Sequence, residues 1–77
     1  MALRFTLAAT APVTARVFGV DGRAIRTLVH ARPFPAGTST IRWDGDDPSS
    51  RRVASGIYLA VIEANGVAEV RRLSIVR

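Results

Sequence analysis

At 77 residues the chain has room for one domain, residues 1–77, and a chain of that size buries roughly 60% of the surface its unfolded form exposes. Hydrophobic residues make up 48% of it, which excludes a disordered tail, and the lack of cysteine excludes a disulfide framework or a thiolate metal site. The net charge is +5, yet its arginines (there is no lysine) alternate with apolar residues and never run beyond Arg51-Arg52 or Arg71-Arg72, with few aromatics beside them, a pattern that points away from nucleic acid.

No apolar run is long enough to span a membrane. Met1 to Arg4 leads straight into a strand-like alternation, which leaves no room for a signal peptide. An export signal for a domain working outside the cell is therefore expected elsewhere, on a longer parent chain.

In chain order, Leu3, Phe5 and Leu7 alternate with Arg4 and Thr6, the period of a half-buried strand. After Pro12 a second strand alternates Val13, Ala15 and Val17 with Thr14 and Arg16. Asp21-Gly22 is a hairpin signal, because tight turns need positive φ. The return strand, Ala24 to Val29, should carry Ile25, Thr27 and Val29 on one face and Arg26 and Leu28 on the other. Arg32 to Gly37 holds two prolines, which predicts a break in any ladder.

A fourth strand, Thr38 to Trp43, points Ser39, Ile41 and Trp43 one way. Asp44 to Ser55 reads as a polar loop, and Gly56 to Ala64 as the strongest strand, dense in Ile, Val, Tyr and Leu. Asn65-Gly66 is a second tight turn, leading into a final strand from Val67 to about Val76. In that strand Val70 and Val76 share one parity and Leu73 and Ile75 the other, which predicts a bulge or a change of neighbours. Turn signals every eight to twelve residues and no helical period define an all-β chain, a sandwich or barrel of six or seven short strands.

Chemistry is sparse. His30 has no serine or threonine and carboxylate placed to form a nucleophile–base pair, and reads as a surface histidine. Asp44-Gly45-Asp46-Asp47 offers three carboxylates to calcium, but its spacing is not that of an EF-hand, and aspartate is a common turn residue. Trp43 and Tyr58 form either a carbohydrate platform or, more in keeping with their bulk, core anchors with wet polar tips. No cofactor, catalytic or metal residue is assigned.

Several segments together carry a resemblance: Val17-Phe18-Gly19-Val20-Asp21-Gly22-Arg23, Ile25 to Leu28, Pro35-Ala36-Gly37, Ile41-Arg42-Trp43-Asp44-Gly45, Arg52 to Tyr58, and Arg71 to Arg77. Their order resembles the Ig-like domain family of the flagellar hook-capping protein, and is similar to C-terminal modules of secreted bacterial proteins, including those of the type 9 secretion system. The Trp43-Asp44-Gly45 loop paired with the Ala54-Ser55-Gly56-Ile57-Tyr58 strand is its specific part. Phe18-Gly19 stands where members often have tyrosine followed by Asp or Asn, and Ser50 where glycine is usual, which predicts a differently shaped long loop.

The resemblance implies an immunoglobulin-like antiparallel sandwich framed by Asp21, Gly22, Trp43, Asp44, Gly45, Gly56, Tyr58, Asn65 and Gly66. It implies a non-catalytic domain for C-terminal sorting or surface attachment, extracellular or at the cell surface. Its partner would be a protein: the parent polypeptide, a secretion apparatus or copies of itself. The candidate sorting strand is Arg71, Arg72, Leu73 and Arg77. A self-assembling subunit, joined through edge strands or head to tail, is the alternative.

Overall fold

A computed structural model describes residues 1–76, so Arg77 lies outside the described residues. Six strands form two layers: β1 (Ala2–Leu7), β2 (Ala11–Gly19), β3 (Ala24–Phe34), β4 (Gly37–Arg42), β5 (Gly56–Ala64) and β6 (Val67–Ile75). A minor sheet pairs β1 with β4, and a major sheet runs β3-β2-β5-β6, every pair antiparallel. In immunoglobulin sandwiches strands B and E pair in one sheet while C, F and G, with an added C′, form the other. Taking β1 to β6 as B, C, C′, E, F and G reproduces that order, so the described residues form an immunoglobulin-like sandwich of six strands.

Alternation builds the core, because period-2 side chains of each strand fall on one face. Leu3, Phe5 and Ile41 from the minor sheet pack on Val13, Ala15, Ala60 and Ile62 from the major one. Phe34 meets Phe5 edge-to-face at 5.2 Å between ring centroids. A second cluster joins Val17, Trp43 and Tyr58.

Both hairpins form, by different turns. Asn65 (φ 53°) and Gly66 (φ 75°) are the two central residues of the turn between the paired Ala64 and Val67, the type I′ pattern. At the β2–β3 hairpin only Gly22 is left-handed (φ 83°). The Gly22 N–H donates to the Gly19 carbonyl (3.0 Å) and the Gly19 N–H to the Arg23 carbonyl (2.8 Å), making a three-residue loop. Asp21 contributes through its side chain, accepting from the Arg23 N–H at 3.0 Å.

Three expectations are corrected. The return strand does not stop at Val29 but runs to Phe34, with Pro33 opposite Pro12. Neither proline can donate, so the pair must be a non-hydrogen-bonded one, which turns the Pro33 nitrogen toward the open edge of the sheet. Its faces also differ: Ile25, Leu28 and Val29 all pack on the core while Thr27 is exposed. Register shifts along the β2–β3 pair, together with Ala31 at φ 48°, break the simple alternation. Finally, β6 carries no bulge: Gly56↔Ile75 through Ala64↔Val67 is unbroken, so Leu73 and Ile75 face in and Val70 faces out.

Candidate functional site

Trp43 follows directly on β4, and Tyr58 sits near the start of β5. Trp43 is 2% exposed and its ring meets Tyr58 edge-to-face at 5.8 Å. Each aromatic sends its polar tip to a loop carbonyl: Trp43 Nε1–H donates to Asp46 (2.9 Å) and the Tyr58 hydroxyl to Ala54, four residues upstream (2.5 Å). The second contact is the tyrosine corner of immunoglobulin sandwiches, which ties the start of strand F to the loop before it. Both aromatics are thus buried anchors, as their bulk suggests, and do not form an exposed platform.

The long loop is ordered by its own polar groups. Asp44 Oδ1 accepts from the Asp46 N–H (3.3 Å), and Asp47 Oδ1 accepts from the Ser49 and Arg51 N–H groups (2.9 Å each). Asp46 and Arg52 form an isolated antiparallel bridge, and the Val53 N–H donates to the carbonyl of Gly45, which is left-handed at φ 82°. Arg26 reaches across from β3 to the carbonyls of Asp47 (3.1 Å) and Asp46 (3.4 Å). The carboxylates of Asp44 and Asp47 therefore act as turn formers, and no group of three or more metal-capable side chains occurs among the described residues. Ser50, standing where the resembling family usually has glycine, takes φ 63°, the left-handed conformation that glycine adopts most readily.

The candidate sorting strand is divided between two faces. Leu73 pairs with Tyr58 and packs on the core, while Arg71 pairs with Ala60 on the inner face and bonds Glu69 through Nε and Nη2, both at 3.0 Å. Arg72 pairs with Leu59 on the outer face. Gly56 opens β5 opposite Ile75.

That outer face is the surface sequence reasoning passed over. Register places Phe18, Leu59 and Arg72 in one row and Arg16, Val61 and Val70 in the next, with Ile57 beside Ser74. Phe18, Ile57, Leu59 and Val61 are half-exposed, and Val70 is 61% exposed. A half-solvated antiparallel strand alternates apolar with polar residues, whereas β5 is apolar on both sides from Ile57 to Ile62. Its unbroken apolar run was the available signal. The surface is an apolar sheet face flanked by Arg16 and Arg72, with Glu63 in the row beyond Val61.

No protein-family model matches the chain, and a search of curated proteins finds no significant match.

Proposed function

We propose that the domain is a non-catalytic attachment module that holds a protein partner against the outer face of its major sheet. The observation that supports this is the apolar face of Phe18, Ile57, Leu59, Val61 and Val70, because contiguous exposed apolar surface rimmed by charge is the ordinary mark of a protein-binding site. The flanking Arg16 and Arg72, against the single acidic Glu63 on the same face, favour a partner that is apolar at its centre and acidic at its rim. The resemblance to Ig-like C-terminal modules assigns the work as sorting or anchoring a parent polypeptide, outside the cell or on its surface. Of the candidate sorting residues, Arg72 is the one this reading engages directly.

The test is a carrier protein fused to the domain, with surface retention measured for wild type and for the triple variant Leu59→Thr, Val61→Thr, Val70→Thr. Threonine keeps strand propensity while removing the apolar contact, so the variant should fold and lose retention. Deleting 71–77 is a poorer test, since it removes Leu73 and Ile75 from the core. Unchanged retention of the folded triple variant refutes the reading.

A further inference from the structure

Hydrogen-bond parity identifies which backbone groups of β1 are unused. The Met1 amino group donates to the Trp43 carbonyl and the Trp43 N–H to the Met1 carbonyl, both at 2.8 Å, so Met1 and Trp43 are a hydrogen-bonded pair. In an antiparallel ladder such pairs alternate with non-bonded ones. Leu3, Phe5 and Leu7 therefore turn their backbone groups toward β4, while Ala2, Arg4 and Thr6 turn theirs toward the open edge. The Thr6 and Thr38 hydroxyls, 3.0 Å apart, fit the closer approach of side chains in a non-bonded pair.

The edges are not equally protected. β3 is broken by register shifts, by Ala31 at φ 48° and by Pro33, and β6 points Glu69 and Arg71 toward the inner face. Bulges, prolines and inward charges are the usual means of preventing a further strand from adding. β1 has none of these: it pairs in even register from Ala2 to Leu7 and contains neither proline nor bulge. Beside it opens a groove of about 210 Å³, walled by Phe5 and Leu7 and lined by Ile62, Ala64, Val67 and Glu69, whose carboxylate is paired with Arg71. In immunoglobulin sandwiches strand A pairs on this side of strand B, and among the described residues β1 pairs with β4 alone. The other side, beyond β4, lies near β3 and the arginines Arg26 and Arg42.

We infer that the free edge of β1 binds an extended acidic–apolar segment of another protein, which adds as a third strand of the minor sheet. Alternate residues of such a segment enter the groove and must be apolar to pack on Phe5, Leu7 and Val67. The residues between them lie on the solvent face beside Arg4. Arg42, diagonal to Arg4 across the β1–β4 pair, carries the same charge, and neither arginine forms an ion pair among the described residues. Acidic residues complement that face, since opposite charges across neighbouring strands stabilise the pairing. A folded second copy is the poorer occupant, because it would bring its own β6 into the space beside β1 that the first β6 lines. This edge is separate from the outer face of the major sheet and does not depend on that reading.

The probe is the peptide acetyl-Glu-Val-Glu-Val-Glu-Val-Glu-amide, with acetyl-Lys-Val-Lys-Val-Lys-Val-Lys-amide as control, followed by amide hydrogen exchange. The acidic peptide at ten times its Kd should slow exchange at Arg4 and Thr6 about tenfold and leave Leu3 and Phe5, already bonded to β4, unaffected. Thr6→Pro removes an edge donor that β4 does not use, so it should keep the fold, read from Trp43 fluorescence, and abolish binding. Arg4→Glu should reverse the choice of peptide. The inference is overturned by no binding, by binding that leaves Arg4 and Thr6 exchanging freely, or by equal binding of the two peptides. Protection of the same two amides by protein concentration alone, with a dimer in solution, would also overturn it, by making a second copy the occupant.

Discussion

Tyr58→Phe isolates the tyrosine corner. It deletes one hydroxyl and keeps the ring, so the edge-to-face contact with Trp43 survives. What is lost is the bond to the Ala54 carbonyl. Ala54 itself is exposed, so its carbonyl can turn to water, and the cost is the net worth of a neutral hydrogen bond, about 1 kcal/mol, without an added penalty for a buried orphan. For 77 residues total stability is on the order of 4–12 kcal/mol, which makes that loss measurable. It corresponds to a fall in Tm of about 4–8 °C in a domain of this size. With a urea m-value of about 1 kcal/mol/M the midpoint moves by about 1 M. The single tryptophan reports the transition, since Trp43 lies against the mutated ring. Tyr58→Leu should cost about 0.5–1.5 kcal/mol more through the aromatic pair alone. A Tyr58→Phe midpoint within experimental error of wild type would refute the claim that this bond fixes the start of β5.

Further variants follow the same logic. Leu3→Ala should cost about 2–5 kcal/mol, because its side chain is wholly buried between the sheets, and urea denaturation should show a protein close to its stability limit. Arg26→Met, which loses two part-buried contacts to the long loop, should cost about 1.5–3 kcal/mol and speed amide exchange at Asp47 and Ser50. Ser50→Gly should relieve left-handed strain and raise stability by up to about 1 kcal/mol by the same assay. Glu69→Ala should change stability by no more than about 1 kcal/mol, since its partner Arg71 is partly exposed and Glu69 more so.

The all-β class, the six strands and both hairpins were legible because strand periodicity and turn residues act locally. β5 was read to its exact ends, from Gly56 to Ala64. β3 was not, because its path depends on what lies beside it: Pro33 is tolerated only at an edge, and Leu28 reaches the core only through register shifts against β2. The parity of β6 was visible in Val70, Leu73 and Ile75. Its meaning needed the uninterrupted pairing with β5, which makes Val70 an outward residue of a regular strand. The aromatic pair and its loop were identified as a unit, whereas which loop carbonyls receive Trp43 and Tyr58 is a matter of tertiary geometry. The outer apolar face was written in β5 from the start, but a strand apolar on both sides looks the same whether this chain or another molecule covers it.

The two proposed surfaces make one joint prediction. Leu59, Val61 and Val70 face away from the minor sheet, whereas the β1 edge and its groove lie on the other side of the major sheet, and packed sheets are about 10 Å apart. Variants that far apart without a shared partner combine additively to within about 0.5 kcal/mol. The outer-face triple variant should therefore bind the acidic peptide as wild type does, while Arg4→Glu should leave carrier retention intact. The double perturbation should lose both activities by the factors seen singly. A folded triple variant that lost peptide binding tenfold would show that face and edge are not independent, and would require β6, which contributes to both, to transmit the change.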